Sequence, residues 1–331
     1  MKKKIAVFHT GGTISMKKDE DGGVNLQKDN PLAKSLVSEV EPVQQQIFGV
    51  ASAQMSEQTM ITLRNEIVKV IAQENADGVV VTHGTDTLEE TAFFLDITVP
   101  HTVPVVVTGA MRSSDDLGSD ALYNYKCAIN VAAMGDEVKH AGTMVVLNGE
   151  IHAARSVTKA HTTNLAAFKS PDAGPIGFMT AQGIVFDRLP APGKQYDVDK
   201  ITKSVMLVKS FAGINSLFFD ALDALGEKQG KFPIDGLVIE AFGAGNVPQR
   251  IVPCLQKLEQ RGIPIVLASR CFGGMVQEIY DYSGGGKSLK TREVPSIIFS
   301  NGLNGPKSRL KLLVLLETTS DIKEIQAGFA V

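Results

Sequence analysis

Three short segments carry residue types able to do covalent chemistry. The first is His9-Thr10-Gly11-Gly12-Thr13-Ile14, directly after the apolar run Ile5–Phe8. In open α/β sheets, ligands bind outside the carboxyl ends of strands. Paired glycines let the backbone turn sharply and approach a ligand closely, which marks Gly12. A threonine on such a turn presents its hydroxyl beside unpaired backbone N–H groups, and those groups stabilise an oxyanion. Thr13 is therefore a candidate nucleophile. Taken alone, the segment also reads as a plain strand-to-helix turn, with Thr10 or Thr13 bonded to nearby backbone. The GGT pattern lacks the GxGxxG spacing of a dinucleotide site.

The second segment is Thr82-His83-Gly84-Thr85-Asp86-Thr87-Leu88-Glu89-Glu90-Thr91, after the most apolar run, Gly78–Thr82. Thr87 and Glu90 have the spacing of a capping box. Capping does not require Thr85 and Asp86. A threonine beside an aspartate at a strand's carboxyl end suits an activated hydroxyl with a charge partner. His83 has the chemistry of a general base, but a single histidine at a strand end is more often a hydrogen-bonded structural group. The third segment is Arg155-Ser-Val-Thr158-Lys159-Ala-His161-Thr-Thr163-Asn164. A lysine is ordinarily solvated surface. Taken out of water it gives up its proton more readily and can deprotonate a hydroxyl, so Lys159 pairs chemically with Thr85, and Asp86 could hold it.

The elements that must position these groups alternate in type. Strands are expected at Ile5–Phe8, Ile47–Ala51, Gly78–Thr82, Val103–Thr108 and Gly142–Leu147. Helices are expected from Asn30-Pro31 to about Val40, over Ser56–Gln73 with Ile61, Ile67, Val68 and Ile71 on its apolar face, over Leu88–Asp96 and over Ala121–Ala133. This is the signal of a doubly wound, mostly parallel sheet. From Ile151 to Arg188 the pattern gives way to short β runs and turns, expected as hairpins. Residues 189–203 are polar and rich in turn formers and read as a linker. Beyond it strands Val205–Val208, Leu237–Ile239 and Ile263–Leu267 alternate with helices Ser216–Leu225, Pro248–Gln260 and Pro306–Leu316. The expected organisation is an N-terminal catalytic domain (1–188), the linker, and a smaller α/β domain (204–331).

Composition narrows the function classes. The formal net charge is −3, and the only basic run is Lys2-Lys3-Lys4, so nothing favours a nucleic-acid partner. Three cysteines, Cys127, Cys254 and Cys271, form no disulfide framework and no metal-ligand spacing, which fits a reducing, cytoplasmic setting. The N-terminal apolar stretch stops at His9, short of a signal sequence, and no segment has the length of a membrane span.

The segments TGGTI and THGTDTLEETA, in that order and separation, resemble the bacterial-type L-asparaginase family, and VTKAHTTNLAAFKS is similar to its third characteristic stretch. The resemblance runs from Lys4 to the C-terminus. It implies hydrolysis of L-asparagine to L-aspartate and ammonia, with Thr13 as the acyl-accepting nucleophile. It implies Thr85, Lys159 and Asp86 as a second constellation that moves protons and orients water, and no metal or organic cofactor. It implies that Ser52, in Val50-Ala-Ser52-Ala53, binds the substrate α-carboxylate, with Gly12, Gly84, Thr85 and Asp86 completing the substrate contacts. It further implies a homo-oligomer, a dimer or a tetramer of intimate dimers, in which Asn246 and Asp281 reach a neighbour's pocket. For Asn246, turn chemistry is the alternative.

Two positions depart from the family pattern. Ala53 stands where glutamine is common. The polar segment from Ser15 to Asn30 is expected to be a flexible lid, yet it lacks the family's lid tyrosine: the five tyrosines are Tyr123, Tyr125, Tyr196, Tyr280 and Tyr282. Sister readings on the same scaffold are a glutaminase-asparaginase of broad specificity and the amidase subunit of a tRNA amidotransferase. The latter usually carries an extra domain before TGGTI, which here begins at residue 10. A non-catalytic amino-acid sensor is the third reading; it would bind without releasing ammonia and has no need of paired threonines.

Overall fold

The computed structural model describes residues 2–18, 24–26, 32, 40–73, 75–191 and 193–330. The chain divides into two compact units, Met1–Asp199 and Lys200–Val331. The expected helix from Asn30 lies almost wholly outside the described residues.

The first unit is built on an eight-stranded sheet. Its parallel strands are β1 (Lys3–Gly11), β4 (Val40–Val50), β5 (Gly78–Thr82), β6 (Val105–Thr108) and β7 (Thr143–Leu147). Antiparallel β8 (Glu150–Ala153), β11 (Gly177–Thr180) and β12 (Gly183–Phe186) extend one side, giving the order β12-β11-β8-β7-β6-β5-β1-β4. Alternation along each strand feeds two faces, because successive side chains point to opposite sides. On β1, Ile5 and Val7 pack with helix α3 (Ala121–Ala132), whereas Ala6 and Phe8 pack with α1 (Glu57–Gln73) and α2 (Leu88–Thr98). Strands β5, β6 and β7 are buried along their whole length, as their uninterrupted apolar composition requires.

The second unit has a four-stranded parallel sheet, β13 (Val205–Lys209), β14 (Gly236–Ala241), β15 (Ile265–Ser269) and β16 (Ile298–Phe299), in that spatial order. Helices α4 (Leu217–Gln229), α5 (Val252–Gln260), α6 (Gly286–Ser288), α7 (Gly305–Thr318) and α8 (Ile322–Phe329) complete it. The fold is thus the expected mixed α/β architecture. Among the described residues, no helix is long and apolar enough to cross a membrane.

The structure corrects the elements around Val40 and the buried face of α1. Val40 opens a strand rather than closing a helix, and β4 runs from Val40, well before the expected Ile47. Its first half, Val40-Glu-Pro-Val-Gln-Gln-Gln46, is polar and contains Pro42, which an edge strand tolerates. On α1 the buried face is Met60, Ile61, Leu63, Arg64, Ile67 and Val70, with Val68 and Ile71 only partly buried. In the segment expected to be a lid, β2 (Met16–Lys18) pairs antiparallel with β3 (Val24–Leu26). The end of the expected linker also packs on the first unit: Arg64 donates to Asp197 at 2.7 Å and the Tyr196 N–H to Ile97 O at 2.8 Å.

Parallel register places the carboxyl ends of β4, β1, β5 and β6 side by side. The turns after β1 and β5 then touch through two glycines. A Cβ on Gly12 would lie 2.2 Å from the Gly84 Cα, and one on Gly84 would lie 2.6 Å from the Ser52 Oγ. Gly12 also has φ +84°, a conformation that L side chains rarely adopt. Gly12→Ala combines backbone strain with a backbone clash, together about 2–5 kcal/mol. Urea denaturation should show that loss, while Gly49→Ala, in open space on β4, should stay within about 0.5 kcal/mol of wild type.

Candidate active site

The ends of β1 and β5 are tied together before any reactive group is reached. Thr10 Oγ1 donates to Thr82 O at 3.0 Å, so Thr10 is a structural staple. The buried His9 ring bridges three strands: Nδ1 lies 2.8 Å from Thr82 Oγ1 and Nε2 3.1 Å from the Gln44 Oε1. An amide oxygen only accepts, so Nε2 carries the proton and Nδ1 accepts from the threonine. Burial lowers the His9 pKa, partly offset by the Gln44 hydrogen bond.

His83 is structural too. Its Nδ1 meets Gly84 O at 2.7 Å, its Nε2 meets Thr91 Oγ1 at 3.0 Å, and the ring is fully buried. Nδ1 must donate to the carbonyl, which leaves Nε2 to accept from Thr91. Burial pushes its pKa down to about 4, so the ring is neutral with both nitrogens engaged. The expected capping box is absent as well: Thr87 is the N-cap of α2 but makes no side-chain cap bond. Its hydroxyl instead donates to Ser52 O at 2.8 Å, fixing the turn after β4.

Four strand-end turns and the β9 segment enclose a pocket of about 240 Å³ lined by Gly12, Thr13, Met16, Ala51, Ser52, Thr85, Asp86, Met111, Lys159 and Thr162. Six of the residues expected from sequence therefore meet there: Gly12, Thr13, Ser52, Thr85, Asp86 and Lys159. Gly84 supports them from beneath, against Gly12 and Ser52. Thr13 begins a 3₁₀ turn, Thr13–Ser15, whose leading N–H groups have no partner within the turn. Ser52 Oγ accepts the Asp86 N–H at 3.2 Å and keeps its own proton for a ligand.

Lys159 reaches the pocket from β9 (Thr158–Lys159), which pairs with β10 (Phe168–Lys169). Its Nζ lies 2.9 Å from Thr85 Oγ1 and 2.7 Å from Asp86 Oδ1. The lysine side chain is 16% exposed and that of Asp86 63%, so the amine is sheltered while the carboxylate opens to the cavity.

Sequence reasoning missed the groups that aim this lysine. Glu89, buried in the first turn of α2, accepts the Thr158 hydroxyl at 2.7 Å and the Lys159 N–H at 3.1 Å. Thr85, Asp86 and Glu89 thus grip one dipeptide at its tip and at its backbone. The turn after β6 was missed too. There Asp120 accepts the Met111 and Arg112 N–H groups, and Asn124 donates to Gly109 O at 3.0 Å, which sets Met111 against the pocket.

Asn246 and Asp281 belong to the second unit. Asn246 Oδ1 accepts the Gly286 N–H at 3.3 Å, and its backbone pairs with Phe242. Asp281 is ion-paired with Arg292 at 2.7 Å and Lys287 at 3.3 Å. Among the described residues no cluster of His, Cys, Asp and Glu is arranged to hold a metal.

In a doubly wound α/β unit, strand-end turns bring two threonines and an aspartate together with the β9 lysine around a pocket that suits a small polar ligand. Residues 4–191 match the family model described as "Asparaginase, N-terminal", and residues 204–329 match "Glutaminase/Asparaginase C-terminal domain". The chain belongs to the asparaginase family. It is similar to an L-asparaginase of Bacillus licheniformis, 33% identical over 96% of each chain. It is 34% identical to a probable L-asparaginase of Deinococcus radiodurans over 98% of this chain and 97% of that one. Among solved structures it is similar to a probable cytoplasmic L-asparaginase of Campylobacter jejuni, with TM-score 0.83, 32% identity and 99% of both chains covered.

Two predictions arise from this geometry. Glu89→Ala should lower kcat by up to about 100-fold through misplacement of Lys159, with little change in KM, and Glu89→Gln, which keeps an acceptor oxygen, should recover most of it. Steady-state kinetics separate the two constants. For His83, the folded pKa of about 4 lies below the ordinary 6.5, so the unfolded chain binds more protons between those values. Stability should therefore fall as pH drops from about 6.5 to about 4, by on the order of 3 kcal/mol from this ring. Thermal melts across that window should show a shallower slope in His83→Gln, with a residual slope from His9.

Proposed function

We propose that the protein is an L-asparagine amidohydrolase that works through a threonine acyl-enzyme. The observation that carries this reading is the Lys159–Thr85–Asp86 cluster, with Nζ 2.9 and 2.7 Å from the two oxygens, in a pocket that Thr13 also lines. A pure binding site for an amino acid needs a carboxylate and several donors. It does not need a lysine spent on a threonine hydroxyl.

In this reading the zwitterionic end of asparagine meets Ser52 and Asp86, with Gly12 and Gly84 letting the two turns close around it. As Thr13 Oγ attacks the side-chain amide carbon its hydroxyl proton passes to the Thr85–Lys159 pair, and the N–H groups of its turn stabilise the oxyanion. The C–N bond breaks and ammonia leaves with a proton relayed through the Thr85–Lys159 pair. Water then attacks the ester, its proton passes back along the same pair, and the Thr13 hydroxyl is restored as L-aspartate departs. Asp86 keeps the amine close to Thr85 at every stage.

The same reading makes the protein a cytoplasmic homo-oligomer, a dimer or a tetramer, with Asn246 and Asp281 contributing to a neighbouring pocket and with no cofactor. Large exposed apolar side chains support association: Leu117, Leu122 and Tyr123 in the first unit, and Phe211, Leu217 and Phe272 in the second. Glutamine is the second substrate to weigh, since the C-terminal family description covers glutaminases.

Purified protein should release ammonia from L-asparagine without added cofactor. Thr13→Ala and Lys159→Met should each lower turnover by about 10³-fold or more while retaining the circular dichroism of the wild type. Full activity in the Thr13→Ala protein would end the nucleophile assignment.

A further inference from the structure

The segment that follows Thr13 is held in an unexpected way. Met16 closes the 3₁₀ turn, its N–H donating to Thr13 O, and so its backbone is fixed to the nucleophile's own peptide. On its other side, the Met16 carbonyl accepts twice from one residue: the Ser114 hydroxyl at 3.0 Å and the Ser114 N–H at 3.3 Å. Ser114 sits in the turn after β6, where Asp120 and Asn124 bond Gly109, Met111 and Arg112. The start of β2 is therefore pinned to the turn after β6, 98 positions away in the chain.

Met16 also lines the pocket, and among the described lining residues the apolar side chains are those of Met16, Ala51 and Met111. The remaining lining groups are Gly12 and polar or charged side chains. Ser52 and Asp86 occupy the end that suits an α-carboxylate and an ammonium. Met16 follows Thr13 by three residues and lines the same pocket, and in the reading above Thr13 attacks the far end of the substrate. An apolar side chain near that end would contribute little to binding the amide's polar atoms. What it can do is limit the length of the side chain that reaches Thr13.

We propose that Met16, pinned by Ser114, is a specificity-determining residue that sets the substrate side-chain length and so favours asparagine over glutamine. This rests on the amidohydrolase reading above. Methionine is a flexible filler, so the thioether gives a soft limit while the clamped backbone keeps it in place. A cavity wall that excludes one methylene discriminates by about 10–200-fold.

The test is kcat/KM for L-asparagine and L-glutamine in the wild type, Met16→Ala, Met16→Leu, Ser114→Ala and Ser114→Thr. Met16→Ala should shift the ratio toward glutamine by about 10-fold or more, and Met16→Leu, of similar volume, should keep the wild-type ratio. Ser114→Ala should move it in the same direction by a smaller factor, with Ser114→Thr restoring it, because only the hydroxyl clamp is changed. If a variant is too unstable for kinetics, calorimetric affinities for L-aspartate and L-glutamate carry the same ratio. An unchanged ratio in Met16→Ala, or an equal loss for both amides, overturns the proposal while the amidohydrolase reading stands. A wild type that releases ammonia from neither amide overturns both.

Discussion

The structure depends on the contact between Gly12 and Gly84. Two turns from neighbouring parallel strands can share a pocket only if their backbones approach to a distance that no Cβ permits. Without that contact Thr13 and Thr85 would still stand at strand ends, separated by the bulk of two side chains. Glycine at both positions gives up conformational entropy in exchange for proximity. The surrounding hydrogen bonds, from Thr10, His9, Thr87 and Ser52, keep the close approach from relaxing.

Around this contact, the side chains of Thr10, His9, His83, Thr87 and Lys159 are each committed to a partner. His9 and His83, behind the pocket, act as cross-links, and burial disfavours the charged form of each. The pocket's amine, by contrast, is held by a hydroxyl and a carboxylate. That amine is aimed from both ends, because Glu89 grips its backbone and Asp86 its tip, and both belong to the β5–α2 turn and the first helical turn after it. A helix N-terminus is a favourable place for these carboxylates.

Much of this was legible in the sequence wherever apolar pattern and turn chemistry agreed. Gly78–Thr82 reads as a central strand and is one, and the rule that ligands bind at strand ends picks out Thr13, Thr85 and Asp86. The first half of β4 was not legible, because an edge strand with one open side needs no apolar run. Glu89 was hidden for another reason: its spacing suggests ordinary helix-start electrostatics, and its real partners lie about 70 positions onward. Met111 could have been found. It follows the apolar strand β6 just as Thr13 follows β1, and the same rule applies to it. Ser114 carries no sequence signal, since its clamp on Met16 exists only after two distant turns meet.

The lysine's place on a ribbon of two-residue strands has a consequence for how activity arises during synthesis. The Lys159–Thr85 bond spans 74 positions, and the parallel core from β1 to β7 is complete in the chain before that ribbon is made. A nascent chain can thus acquire its sheet, its glycine contact and both threonines while it still lacks the amine. The pocket then gains its lysine by a docking event that follows the sheet rather than growing with it.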